Sequence, residues 1–135
     1  MAALDLVAFR FVPLLLGAVL MMGIGAAWYG IFAKPWMAMA HPGKTRAQMS
    51  AGPKWPYAIA AAAALVLSYA FGVIVEATGR ALANTLTLAA VLSAALVLLY
   101  LTTYAFAAKP LKLALIDVGY YVTSLFVFGL AYGLV

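Results

Sequence analysis

The sequence predicts an all-α integral membrane protein: a bundle of four transmembrane helices with both termini outside the cytoplasm. The first observation is composition, because 69% of the 135 residues are hydrophobic and only 8% are charged. A soluble domain carries roughly a quarter of charged residues, so this chain cannot cover itself with polar surface. The second observation is four continuous apolar runs, and the third is the uneven placement of lysine and arginine around them.

Each apolar run is long enough to cross a bilayer as a helix. About 20 mostly apolar residues span the hydrocarbon, and a helix satisfies all of its backbone polar groups internally. The runs are continuous rather than alternating, so they do not fit the strands of a β-barrel. We therefore predict one transmembrane domain, 1–135, with a basic cytoplasmic loop at 34–54. The predicted spans are residues 11–33, 55–75, 82–106 and 111–135.

Glycine and proline mark the ends of these runs. Pro35, Pro110 and the Gly52-Pro53 pair are expected to stop or start helices, and Gly79 is expected to cap the second span. Within the basic loop, Thr45-Arg46-Ala47-Gln48 has the spacing of a capping box. This spacing predicts a short surface helix after Thr45.

Basic residues set the expected orientation. The loops after the first and third spans hold six of them: Lys34, Lys44, Arg46, Lys54, Lys109 and Lys112. The opposite side holds Arg10 and Arg80. Because short cytoplasmic loops are enriched in lysine and arginine, both termini are predicted outside the cytoplasm, and we expect a bacterial inner membrane. The net charge of +5 is read as this orientation signal, not as a nucleic-acid surface.

One phrase occurs twice, as YGIFAKP at 29–35 and as YAFAAKP at 104–110. Both copies follow a predicted span on its cytoplasmic side. One interpretation is that the same interface is built twice, with tyrosine at headgroup level, lysine reaching outward and proline preventing continuation of the helix. The other is duplication of a helix hairpin, which would give two parallel repeats. The sequence leaves both open.

These residues resemble a known family. Ala27-Trp28-Tyr29-Gly30, residues 32–37, Gly43-Lys44-Thr45 and the Leu115-Ile116-Asp117-Val118-Gly119-Tyr120 stretch are similar to the small four-helix membrane proteins of the domain of unknown function 1761 family. The resemblance covers most of the chain and implies a membrane fold without implying an activity. We would expect histidine after the tyrosine of the last span. The sequence has Tyr121 there, which puts a proton-relay role at that position in doubt.

Asp117 is an ionisable residue within a predicted span, about 8 Å from the cytoplasmic interface at 1.5 Å per residue. Insertion of such a group costs about 2.5 to 3.5 kcal/mol, so it needs a partner or a function. We predict that it faces the interior. It is either a substrate, ion or proton site, or a structural link satisfied by hydroxyl or indole donors such as Tyr29, Trp28 or Tyr104. The candidate polar site comprises Asp117, Tyr120, Tyr121, Ser124, Tyr29 and Tyr104.

Other residues have predicted structural roles. Glu76 and Arg80 are four apart and are expected to form a weak solvated ion pair, or with Asn84 the rim of an outer vestibule.

Trp36, Trp55 and Tyr57 are expected in a cytoplasmic aromatic belt. Small residues at helix-packing spacing predict close helix contacts, with one stripe left for a homodimer or other oligomer. The stripe on the fourth span is a candidate for that contact. These residues are Gly23, Ala27, Gly30, Gly72, Gly129 and Gly133.

Composition also limits the chemistry. The chain has no cysteine, and His41 is its single histidine, so we expect no disulfide, no metal site and no cofactor.

Three function classes remain. The first is a non-catalytic accessory or structural subunit, alone or within a larger membrane complex. The second is a small oligomeric transporter or channel that uses Asp117. The third and least supported is a membrane enzyme, for which only tyrosine and lysine could assist Asp117.

Overall fold

The fold, described over residues 4–135 of a computed structural model, consists of helices and connecting turns, with no strand in that range. Four of its helices are long and apolar enough to cross a membrane. This confirms the predicted helical class and its four long apolar elements. The helices are α1 (Phe11–Ile31), α2 (Ala33–Ala40), α3 (Arg46–Ser50), α4 (Trp55–Thr78), α5 (Leu82–Phe106) and α6 (Leu111–Leu134).

The long helices alternate in direction along the chain. Tyr29 in the last turn of α1 contacts Asp117 in the first half of α6, whereas Arg10, just before α1, contacts Tyr132 near the end of α6. The molecule therefore has two ends. We call the one formed by residues 32–54 and 107–110 the basic end. The far end is formed by residues 4–10, 79–81 and the last turn of α6.

Helix α6 is the centre of the packing. It pairs with α5 along most of its length and also packs against α1, which in turn contacts α4. Helix α4 meets α5 and α6 only locally. The helices therefore follow the spatial order α5, α6, α1, α4, and the contact between α4 and α5 that would close a ring is small.

Glycines permit the closest approaches. A Cβ at Gly133 would lie 2.6 Å from the Thr85 hydroxyl, and a Cβ at Gly72 would lie 2.6 Å from the Tyr132 hydroxyl. Gly129 likewise faces α5, and its carbonyl accepts a 2.7 Å hydrogen bond from Thr85. Because α5 occupies this face of α6, Gly129 and Gly133 are not available as the seam between subunits that the sequence suggested. Gly23, by contrast, has no neighbour within 4 Å.

The two copies of the repeated phrase fold differently. In the first, α1 ends at Ile31 and α2 begins at Ala33, so Pro35 lies in the first turn of a new helix, where a missing N–H is tolerated. The expectation that this proline prevents helix continuation is wrong. In the second, Ala108 has a left-handed φ of 54° and Pro110 directly precedes α6.

Two predicted caps are present. The Thr45 hydroxyl accepts from the Gln48 amide at 3.2 Å, and the Gln48 side chain accepts from the Thr45 amide at 2.8 Å, which confirms the capping box at the start of α3. Gly79, with φ of 130°, follows the last residue of α4. Helix α4 thus extends three residues beyond the predicted end at 75, and the predicted loop 34–54 contains α2 and α3.

Helix α4 is packed over only part of its length. Residues 55–60 are all exposed, whereas buried side chains begin at Ala64 and continue to Val75. In that buried half, the Phe71 ring packs against Phe128 and Tyr132, with ring centroids 5.8 Å and 5.7 Å away. The start of α4 therefore stands apart from α6 and leaves a cleft at the basic end.

Candidate functional site

The Asp117 carboxylate is bound by side chains from three other helices. Its Oδ1 accepts hydrogen bonds from the Tyr29 hydroxyl of α1 and the Trp36 indole of α2, both at 2.9 Å. Its Oδ2 accepts from the Tyr104 hydroxyl of α5 at 2.6 Å. We call these four residues the Asp117 cluster. The tyrosines of the two repeated phrases thus bind opposite oxygens of one carboxylate.

All three donors of the Asp117 cluster are neutral. Among residues 4–135, the ion pairs within 4.0 Å are those of Glu76, so no basic nitrogen is that close to Asp117. An indole is a donor only, so Oδ1 of Asp117 must accept from Trp36. The three hydrogen bonds link α1, α2 and α5 to α6.

Trp36, for which the sequence predicted a place in an aromatic belt, is part of the Asp117 cluster. It reaches the carboxylate because α2 continues through Pro35 and carries the indole back towards α6. Trp28, a candidate donor to Asp117, donates instead to the Ile116 carbonyl at 2.8 Å. Gly119 makes room for this contact, since a Cβ there would lie 2.6 Å from the Trp28 ring.

The remaining residues of the predicted polar stripe make other contacts. The Tyr120 hydroxyl donates to the Met21 carbonyl at 3.1 Å, and the Ser124 hydroxyl donates to the Tyr120 carbonyl at 2.8 Å. The Tyr121 ring packs against Tyr100, with centroids 5.8 Å apart. The structure therefore brings Tyr29 and Tyr104 to Asp117, but leaves Tyr120, Tyr121 and Ser124 outside its hydrogen-bond shell.

A pocket of about 610 Å³ lies beside the Asp117 cluster at the basic end. Tyr29 and Trp36 form part of its wall, so the side chains that bind Asp117 on one side face the pocket on the other. We call it the basic-end pocket. Residues from α1, α2, α3, α4 and α6 line it, including Met22, Gly30, Met37, Arg46, Ser50, Tyr57 and Tyr121.

A second polar cluster lies at the far end. Glu76 binds Arg80 at 2.6 Å, as predicted from their spacing, and also Arg10 at 3.0 Å. Arg10 additionally donates to the Tyr132 carbonyl at 2.7 Å, so it links α4 to the end of α6. The hydrogen bonds that Arg80 donates to Glu76 raise the pKa of the Arg80 guanidinium. We call Glu76, Arg10 and Arg80 the Glu76 cluster.

Asn84 does not take part in the Glu76 cluster. Its side-chain amide donates to the Gly79 carbonyl at 2.7 Å and to the Thr78 hydroxyl at 2.9 Å. These bonds close the turn between α4 and α5. Asn84 is therefore bound to the turn and not to Glu76, with which the sequence grouped it. The contribution of Arg10 was missed because it lies 66 residues from Glu76, and no local spacing signals it.

Histidine and acidic side chains in residues 4–135 form no group of three that could hold a metal ion. The His41 ring packs edge-on against Trp36, with centroids 5.2 Å apart.

Comparison with known proteins gives one match. The model of the family described as "Protein of unknown function (DUF1761)" matches residues 12–133. No curated protein and no solved structure matches the chain.

Proposed function

Because the chain belongs to the DUF1761 family, whose description gives no activity, we propose a function from the Asp117 cluster itself. The protein is a non-catalytic accessory or structural subunit of the bacterial inner membrane. Helices α1, α4, α5 and α6 cross the bilayer, and the Asp117 cluster is a polar lock that fixes their arrangement. The observation that carries this proposal is the occupation of both Asp117 oxygens by side chains from three other helices.

Energetics supports a structural role for Asp117. A carboxylate inside a bilayer is costly unless it is hydrogen-bonded, and three donors offset that cost here. Removing the carboxylate would leave the part-buried donors of Tyr29, Trp36 and Tyr104 without their acceptor, at up to about 1 to 3 kcal/mol each. A residue that satisfies three partners in this way is suited to holding helices together.

The first test compares two substitutions of Asp117. Asparagine keeps an oxygen that can accept from Tyr29 and Trp36 and an amide that can donate to the Tyr104 hydroxyl, whereas leucine keeps none of these. Asp117→Asn should therefore leave the folded protein and its cellular phenotype intact, and Asp117→Leu should lower the unfolding free energy by about 3 kcal/mol or more. Denaturant titration in detergent measures the unfolding free energy. Growth, or the localisation of a membrane complex, measures the phenotype.

A transporter or channel is the second candidate, and the basic-end pocket is the observation that favours it. The pocket places a ligand-sized space against two side chains that bind Asp117. A transport cycle that depends on the ionisation of Asp117 predicts that Asp117→Asn abolishes the phenotype while the folded protein remains. That result would overturn the accessory role.

The proposed orientation places both termini outside the cytoplasm. The basic end carries Lys34, Lys44, Arg46, Lys54, Lys109 and Lys112. Arg10 and Arg80 at the far end are both paired with Glu76, which adds to the asymmetry of unpaired positive charge. Cysteine placed at Lys44 should be protected from a membrane-impermeant thiol reagent in intact cells, whereas cysteine placed at Val135 should react. Equal labelling at the two positions would contradict the proposed orientation.

We also propose a homo-oligomer, and the open face of α1 supports it. Gly23 has no neighbour within 4 Å, and Ala27, one turn later, is exposed. Small residues four apart let two helices approach closely in lipid. Gly23→Leu should reduce crosslinking between copies in native membranes, whereas Leu at the lipid-facing Ala62 should not. A chain that crosslinks only as a monomer would contradict this.

A further inference from the structure

We infer that the basic-end pocket binds the anionic headgroup of a membrane phospholipid, with one of its acyl chains in the cleft between α4 and α5. This inference rests on the membrane insertion proposed above and is independent of the role of Asp117. Three observations carry it: the volume of the pocket, the unpaired Arg46 in its wall, and an apolar groove that borders it at Tyr121.

The pocket has the size and lining of a ligand site. Its volume of about 610 Å³ falls within the range of about 300 to 1,000 Å³ that small-molecule sites occupy. Most of its wall is apolar, and Gly30, which has no neighbour within 4 Å, leaves part of that space open. Met22, Met37 and Met49 contribute flexible side chains that adapt to the shape of a ligand.

The charge at this end selects an anion. Arg46 lines the pocket, and within residues 4–135 no carboxylate lies within 4.0 Å of it. The carboxylate of Asp5 accepts from the Val7 amide and that of Glu76 is bound by Arg10 and Arg80, both at the far end. The carboxylate of Asp117 is already bound by three neutral donors. The acidic side chains of this chain therefore do not neutralise Arg46, and an anionic ligand can.

The polar groups around Arg46 suit a phosphate. Ser50 lies one helical turn after Arg46 on α3 and lines the same pocket, so a guanidinium and a hydroxyl share one face of that helix. Tyr57 of α4 also lines the pocket. A guanidinium presents paired N–H donors that match two oxygens of a phosphate group. These groups lie at the basic end, where the proposed orientation places headgroups of the cytoplasmic leaflet.

A separate apolar groove borders the pocket and is proposed to hold the acyl chain. It has a volume of about 360 Å³ and lies between α4 and α5. On α4 its wall includes Ala63, Val66 and Ala70, and on α5 it includes Leu96. Tyr121 lines both the groove and the pocket, so the two spaces adjoin at this residue. The groove exists because α4 meets α5 only locally.

The test measures which lipid remains bound to the purified protein. The protein is exchanged into detergent with equal amounts of phosphatidylglycerol and phosphatidylcholine, and native mass spectrometry counts the lipids retained. Wild type should retain phosphatidylglycerol about tenfold better than phosphatidylcholine. Arg46→Gln should remove that preference, because it removes the charged partner of the phosphate. Lys44→Gln is the matched control, since it removes one charge from the same segment but does not line the pocket.

A second pair of variants tests the acyl chain. Ala63 lines the groove, whereas the adjacent and equally exposed Ala62 lines neither space. Ala63→Leu should reduce phosphatidylglycerol retention severalfold, and Ala62→Leu should leave it unchanged. Circular dichroism confirms that each variant keeps the helical content of wild type.

Three results would overturn the inference. Equal retention of the two phospholipids would show that the pocket does not select an anionic headgroup. Equal losses for Arg46→Gln and Lys44→Gln would assign the preference to the general charge of the basic end. Displacement of phosphatidylglycerol by an equal concentration of oleate would identify a fatty acid as the ligand. The fold and the Asp117 lock would stand in each case, because Asp117→Asn and Asp117→Leu test them separately.

Discussion

Glu76 at the far end is held by two guanidinium groups, whereas Asp117 at the basic end is held by two phenols and an indole. Both carboxylates link helices that are distant in sequence. The Glu76 cluster, however, combines one negative charge with two positive charges, and its Arg80 is 60% exposed. The Asp117 cluster combines one carboxylate with donors that carry no formal charge.

This difference separates two ways to hold a carboxylate near one end of the molecule. Ion pairs suit the far end, where water reaches Arg80 and charged partners are not costly. Neutral donors suit the basic end, because they satisfy Asp117 without bringing a cation into the helix interior. They also leave the lysines and arginines of that end free of carboxylate partners. The same segment can therefore orient the protein and present Arg46 to a ligand.

The largest expected effect comes from removing the negative charge of each cluster while keeping its shape. Glu76→Gln leaves the partly buried Arg10 without its counter-ion and should lower the unfolding free energy by about 2 kcal/mol. Asp117→Asn, whose partners are neutral, should lower it by less than about 1 kcal/mol. Both values come from denaturant titration in one detergent. Equal losses would show that the two clusters do not differ in the way their geometry indicates.

A smaller effect resolves the Asp117 cluster itself. Tyr104 is the donor to Oδ2, whereas Oδ1 keeps Trp36 when Tyr29 is lost. Tyr104→Phe should therefore lower the unfolding free energy by about 1.5 kcal/mol and Tyr29→Phe by about 1 kcal/mol. The double variant should lose no more than the sum if the two hydroxyls act on separate oxygens. A larger loss for Tyr29→Phe would reverse this ranking of the donors.

The smallest expected effect is a response to salt. Exposed ion pairs are screened as the ionic strength rises, and hydrogen bonds to neutral donors are screened much less. Raising the salt from about 0.05 M to about 0.5 M should lower the unfolding free energy of wild type by about 0.5 kcal/mol. Glu76→Gln should lose this dependence, and Tyr104→Phe should keep it. If Tyr104→Phe instead abolished the salt dependence, that dependence would arise from the Asp117 cluster, and the prediction would be wrong.

The sequence predicted the elements better than their contacts. Continuous apolar runs identify four long helices because length and hydropathy alone decide whether a helix can cross a bilayer. The Thr45 capping box and the Gly79 cap were also readable, since each depends on a few adjacent residues. The ends of α1 and α4 were each misplaced by two or three residues, because hydropathy changes gradually there.

The contacts that depend on distant residues were less readable. Trp36 was missed because Pro35 suggested a helix end, and only the fold shows that α2 carries the indole back to Asp117. Arg10 was missed because Glu76 already had a local partner in Arg80. Glycine spacing predicted close packing but not its partner: Gly72 faces Tyr132, whereas Gly23 faces open space. Spacing shows which residues share one face of a helix. What that face contacts depends on where the neighbouring helices lie.

The donors of the Asp117 cluster also have an order in the chain. Tyr29, Trp36 and Tyr104 all precede Asp117, so they leave the ribosome before it does. In a chain inserted as proposed, α6 enters the bilayer after α1 and α5, and its carboxylate meets donors that are already in place. The cost of placing Asp117 in the membrane is thereby offset at the moment of its insertion. The order of synthesis would then favour the native neighbours of α6 over any other helix that the membrane offers.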